Sequence, residues 1–153
     1  MSVTPGKLNT FLMFKLPAAY FTGVRVINFS NRSCITSVRH RWINQNPFKS
    51  LFWAVQGMAA ELSTGVLILN KIRATGKNLA IILVKNEAIY SKKATGRIYF
   101  ECVEGKRIDA VLKEAIETGE GQNITLESIG KNSEGVEVSR SYFTWSMKLR
   151  SSK

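Results

Sequence analysis

The chain has 153 residues and a mass of 17.1 kDa, with 44% hydrophobic residues and 22 Lys and Arg against 11 Asp and Glu, a formal net charge of +11. That apolar share excludes intrinsic disorder, and the length suits one domain burying roughly two thirds of the unfolded chain's surface without disulfides. Residues 1–60 hold Lys7, Lys15, Arg25, Arg32, Arg39, Arg41 and Lys49 and no acid, a balance that favours anionic partners: phosphates of a nucleotide-bearing compound, nucleic acid or an anionic membrane surface.

In chain order, the first element is a helix over Leu8–Leu16 that stops before Pro17. Lys15 and Pro17 interrupt the apolar stretch around it, so no export signal is read, and an intracellular, cytoplasmic protein is expected. Val24–Phe29 and Cys34–Trp42 alternate as short half-buried strands, with Ser30 to Ser33 as the turn between them. Cys34 and Cys102 lie among apolar residues and read as buried reduced thiols. Neither has the spacing of a zinc site, and His40 is the one histidine, so no metal or cofactor is expected. His40 shares its strand face with Val38 and Trp42 and reads as a core-edge residue.

Ser50–Leu69, SLFWAVQGMAAELSTGVLIL, reads as a helix apolar on nearly every side, with Gln56 and Glu61 its strongly polar residues. A helix of that kind lies in a membrane or inside a core, and the carboxylate near its centre and the β-rich remainder favour the core. Leu79–Tyr90 opens with the run LAIILV, expected to be covered on both faces. Arg97–Val103 places Ile98, Phe100 and Cys102 on one face. Lys106–Thr118 carries Ile108, Val111, Leu112, Ala115 and Ile116 at helical spacing and stops at Gly119. Asn123–Ile129 and Val136–Leu149 form a last strand pair around KNSEG, and a change of apolar parity predicts a bulge near Arg140 to Tyr142.

These elements predict an α+β hotdog fold: a curved antiparallel sheet of about six strands wrapped around a central buried helix, with small peripheral helices. Residues 1–19 are expected to form a helical segment packed on a hotdog domain of residues 20–153. An open sheet leaves edges, so a homodimer joined edge to edge is expected, with a dimer of dimers left open.

Glu61 is the first functional candidate, because a carboxylate in an apolar helix takes a partner or has its pKa raised, and a carboxylate titrating near neutrality serves as a general base. The second is the helix start. Ser50 is expected to cap it, leaving amides from Leu51 to Ala54 as donors for a developing oxyanion. Lys92, Lys93 and Arg97 flank a strand connection where phosphates of a pantetheine-linked nucleotide could be held, and Arg39 and Arg41, alternating on one strand face, could do the same or pair with Glu61 of a second copy.

The stretch NPFKSLFWAVQGMAAELSTG resembles the helix-start motif of the PaaI-like hotdog thioesterases, in which an Asn-containing loop and a His-Gly-Gly precede a helix bearing an acid nine residues after the His. On that spacing Asn46 stands at the loop Asn, Phe52 at the His, Trp53 and Ala54 at the glycines, and Glu61 at the catalytic acid. FTGVRV and EAIYSKKATGRIYFEC look most like the subgroup known as DUF4442. The resemblance, over about Tyr20 to Leu149, implies hydrolysis of an acyl-CoA or acyl-carrier thioester in a tunnel at a dimer interface. Glu61 and Asn46 would act in catalysis, and Phe52, Trp53, Ala54 and Gly57 would line the substrate site. Because Phe52 and Trp53 replace residues that leave the backbone open, a noncatalytic protein binding a fatty acyl or other apolar ligand is the alternative. A nucleic-acid-binding module rests on the charge alone, without a recognised motif.

Overall fold

The computed structural model describes residues 3–151. Helix α1 (Pro5–Lys15) begins with proline at its first turn and Thr4 as its cap. Pro17, expected to end the helical segment, also starts a second short helix, α2 (Pro17–Phe21), since a residue without an amide hydrogen costs nothing at a helix's first position. The Asn9 side chain holds this segment to the sheet: its Nδ2 donates to Val26 O and its Oδ1 accepts from Val26 N, both at 2.9 Å.

Strands β1 (Arg25–Phe29), β2 (Cys34–Arg39), β3 (Leu79–Tyr90), β4 (Arg97–Cys102), β5 (Gln122–Asn132) and β6 (Glu137–Leu149) form one antiparallel sheet in the order β1-β2-β4-β5-β6-β3. Helix α3 (Trp53–Thr75) packs along the sheet's inner face, and α4 (Gly105–Thr118) lies beside it. The core between them includes Leu67, Ile68, Ile98, Phe100, Ile108, Leu126 and Met147. This is the expected hotdog architecture.

Four details differ from the sequence expectation, each for a local reason. Strand β2 stops at Arg39 instead of Trp42 because the buried Asn44 side chain accepts from Arg41 N and donates to Arg39 O and Thr22 O, folding Trp42–Asn44 into a 3-10 turn. Ser50 does not cap α3. Its hydroxyl and amide bond the Asn46 side chain, so the helix begins three residues later, with Phe52 as its cap residue, and runs on to the left-handed Gly76. The first half of β3 is covered on one face only. It is an edge strand paired with β6 alone, and Ile82 and Val84 are 63% and 51% exposed. The phase change in β6 falls at Val138, two residues upstream of the expected position, where Gly130 pairs with Ser139 and Lys131 with Glu137.

Cys34 and Cys102 are free thiols opposite one another on β2 and β4, and burial pushes both up to about 12, which suppresses the reactive thiolate. Among the described residues no helix is long and apolar enough to cross a membrane.

Candidate functional site

Helix α3 is buried over most of its circumference, but one stripe faces outward. Trp53, Gly57 and Glu61 stand four residues apart along it, with Ala54 and Met58 beside them. Trp53 is 61% exposed, while Ala54, Gly57, Met58 and Glu61 are half-buried.

Glu61 sits in a small recess of about 90 Å3 whose walls are almost wholly carbon, from Phe11 and Leu16 of the N-terminal segment, Leu62, Val66, Ile81 and Trp145. Its carboxylate has no hydrogen-bond or ion-pair partner among the described residues, and burial pushes its pKa from 4.5 up to about 7. Two features keep this position. A methyl group on Gly65 would come within 3.2 Å of Glu61 Oε1 and 3.5 Å of the Trp145 ring, so glycine makes room for the carboxyl. Trp145 Nε1 donates to Thr64 Oγ1 at 3.0 Å, and Thr64 Oγ1 donates to Glu61 O at 2.8 Å, which fixes the indole beside the acid.

A larger cleft, about 580 Å3, lies at the start of α3. It gathers Asn46, Phe52, Trp53, Lys92 and Lys93 from the sequence expectation, together with Gln56 and Tyr90. Asn46 is spent on its own loop: its Oδ1 accepts from Phe48 N and Ser50 N at 3.0 and 3.2 Å, and its Nδ2 donates to Ser50 Oγ at 3.0 Å. It therefore shapes the helix start more directly than it presents a group to a ligand. Leu51 N and Phe52 N donate to Ala94 O and Asn44 O, so the free first-turn amides are those of Trp53 and Ala54. Gln56, which the periodicity left as a polar exception, is buried; its Nε2 donates to Leu51 O, and its Oε1 has no partner. A buried glutamine with an unpaired acceptor, beside a cleft, was the missed signal, and it is invisible without coordinates.

Glu61 does not line this cleft. Eight residues separate it from Trp53, about 12 Å along the helix axis. Arg97 is apart as well: it lines a recess with Gly23, Arg25, Arg39 and Arg41, away from Lys92 and Lys93. His40 is half-buried, and its Nε2 is sealed without a partner. Among the described residues no group of three or more His, Cys, Asp or Glu is placed to hold a metal ion.

Gly57 offers a clean test of the outward stripe. Nothing lies within 4 Å of where its Cβ would stand. Gly57→Ala is therefore expected to raise stability by roughly 0.5–1 kcal/mol in thermal melting, since glycine inside a helix costs that much in backbone entropy. A lower melting temperature would mean that another molecule packs closely on this glycine.

Residues 6–147 match the family described as a domain of unknown function, DUF4442. The chain belongs to that family. Three solved structures share the DUF4442 chain's fold over nearly its whole length. A Pseudomonas aeruginosa protein of unknown function, described as a probable thioesterase, is 21% identical with a TM-score of 0.81, covering 96% of this chain and 97% of its own. A Chlorobaculum tepidum protein of unknown function is 17% identical, with a TM-score of 0.82 and coverages of 97% and 99%. A Haemophilus influenzae thioesterase is 13% identical, with a TM-score of 0.73 and coverages of 97% and 93%. No curated protein matches. The DUF4442 chain thus shares the fold of these structures, the hotdog fold.

Proposed function

We propose that this protein hydrolyses acyl thioesters, with Glu61 as the general base, at a site completed by a second copy of the chain. The observation that carries the reading is the unpartnered Glu61 carboxyl, held in an apolar recess with a pKa of about 7. A base of that strength takes a proton from water at neutral pH and, once protonated, can return it to a leaving group. Water attacks the carbonyl carbon, the C–S bond breaks, the proton passes through Glu61 to the sulfur, and the products are a carboxylic acid and a free thiol.

The need for a second copy follows from distance. The carbonyl oxygen requires donors at about 3 Å, and the free amides of Trp53 and Ala54 stand about 10–12 Å along the helix from their own Glu61. A neighbouring helix start can supply them if two sheets join at β3. That strand presents a twelve-residue edge, and Asn86, Ala88 and Tyr90, registered with Phe143, Ser141 and Ser139, are exposed on the inner face. Lys92 and Lys93 in the cleft suit the charged end of an acyl-CoA or acyl carrier, and Phe52 and Trp53 in the same cleft, with Ala54 and Gly57 on the adjoining outward stripe of α3, its pantetheine and acyl parts. Two free thiols suit the reducing cytoplasm.

The test is a panel of acyl-CoAs of increasing chain length at pH 8, with thiol release as the readout. Turnover of at least one is expected, together with a dimer in sedimentation. No thiol release across the panel would overturn hydrolysis. A second reading, retention of an apolar ligand without cleavage, is favoured by the Phe52 and Trp53 rings, packed edge to face at 5.6 Å beside the cleft. It predicts a bound acyl species in native mass spectra of freshly purified protein.

A further inference from the structure

The recess that holds Arg97 is lined almost entirely by cationic side chains. It encloses about 150 Å3 and is lined by Gly23 and four arginines, Arg25, Arg39, Arg41 and Arg97. The sheet register accounts for part of the convergence. Arg39 and Arg97 are direct cross-strand partners on β2 and β4, and Arg25 on β1 faces Ser37, two residues before Arg39 on the same side of the sheet. Thr36, Val38 and Ile98 occupy the alternate positions and are buried, so these arginines project from the outer face, on the half of the sheet away from β3.

Like charges placed directly opposite destabilise a strand pair. No carboxylate relieves them: the ion pairs of the described residues use Lys71, Lys85, Arg107, Lys113 and Arg140, and residues 1–60 contain no acid. Two of the four arginines are also held in place. Arg25 Nη1 donates to Tyr20 O at 2.6 Å and Val24 O at 2.7 Å, with its guanidinium 3.6 Å from the centre of the Tyr20 ring, and Arg97 Nη1 donates to Ser37 Oγ at 3.3 Å. Each guanidinium carries five N–H donors, so most of the donors around the recess are unspent.

We propose that this recess is a phosphate-binding site, taking a phosphomonoester or diphosphate group. Guanidinium forks match the spacing of phosphate oxygens, and several of them around one recess fit a compact, multiply charged group. A nucleic-acid backbone would instead need basic residues spread along a track of successive phosphates. The site stands independently of thioester hydrolysis. It would serve either a free phosphate compound or the nucleotide end of an acyl carrier.

Titration calorimetry with pyrophosphate tests it, alongside thermal melting at fixed ionic strength. Wild-type protein is expected to bind pyrophosphate and to melt higher in its presence. Arg39→Glu is expected to weaken that binding about tenfold or more. The same variant, without ligand, should melt higher than wild type because Arg97 gains an opposite charge across the strands. A Lys92→Ala, Lys93→Ala double variant should bind pyrophosphate as wild type does. Absence of pyrophosphate binding by wild type, equal binding by Arg39→Glu, or loss of binding in the double-lysine variant would overturn the proposal. Displacement of pyrophosphate by CoA but not by pantetheine would assign the site to the carrier's nucleotide end. Retention of pyrophosphate in the presence of CoA would assign it to a free phosphate compound. Loss of hydrolysis in the acyl-CoA panel leaves all these outcomes unchanged.

Discussion

Glu61→Gln is expected to lower thioester hydrolysis by a factor of about 10²–10⁴, the usual contribution of a positioned general base, while making the protein more stable above pH 7. The two effects have opposite signs for one reason. Burial raises the folded-state pKa of Glu61 from 4.5 to about 7, so between those values the folded chain holds a proton that the unfolded chain has released. The stability contributed by that proton is fully present below about pH 4.5 and is lost as pH rises through about 7. Above that point the folded chain carries an unpartnered charge in an apolar recess, a cost on the order of 3 kcal/mol at most. A neutral amide of the same shape removes that cost, and with it the base.

Two measurements separate this account from a merely structural role. The pH profile of kcat/KM for wild type should rise about tenfold per pH unit below pH 7 and level off above it, because the base acts only when ionised. Melting temperatures of wild type and Glu61→Gln should draw together toward pH 5 and diverge toward pH 8. A flat rate profile between pH 5 and 8, or a glutamine variant with undiminished turnover, would remove Glu61 from the chemistry.

The central helix and the strands were legible in the sequence because each rests on a periodicity that burial imposes, and the burial of the Glu61 carboxyl because it interrupts an apolar helix. Thr36, Val38, Ile98, Phe100 and Cys102 alternate because only one face of β2 and β4 meets α3. What escaped the sequence depends on who pairs with whom. LAIILV reads as a strand covered on both sides, yet β3 lies at the sheet edge, a fact of topology that composition does not carry. Ser50 is a good cap by residue type, but the Asn46 side chain takes its hydroxyl first. Arg97 seemed a neighbour of Lys92 and Lys93 because five or fewer residues separate them. The strand register turns it instead toward Arg39, 58 positions away along the chain. Local pattern gives the faces of each element, whereas a site drawn from several elements needs the register between them.

Register and close approach also govern the largest expected loss of stability, from Gly105→Ala. Gly105 opens α4, and its amide donates to Arg32 O at 3.0 Å, so the helix start rests directly on the backbone of the β1–β2 turn. A methyl group there would overlap Asn31 O and lie 2.7 Å from Arg32 Cα. The turn cannot yield easily, since Ser30 Oγ accepts from both Arg32 N and Ser33 N at 3.1 and 3.0 Å. Nor can the helix withdraw without loosening Ile108, Leu112 and Ala115 from the core. Relief by rotating a side chain is closed because the obstacles are main-chain atoms. The expected cost is about 3 kcal/mol, a fall of about 10 °C in melting temperature for a domain of this size. Gly121→Ala is the matched control: its methyl would meet only Lys148 Cδ at 3.9 Å and Cβ at 4.0 Å, and it should melt within a degree or two of wild type. Equal melting temperatures for the two variants would mean that the α4 start does not lie against the turn. Because α4 contributes no residue to the Glu61 recess or to the cleft at the α3 start, turnover per folded molecule should be the same in both variants at temperatures below their transitions.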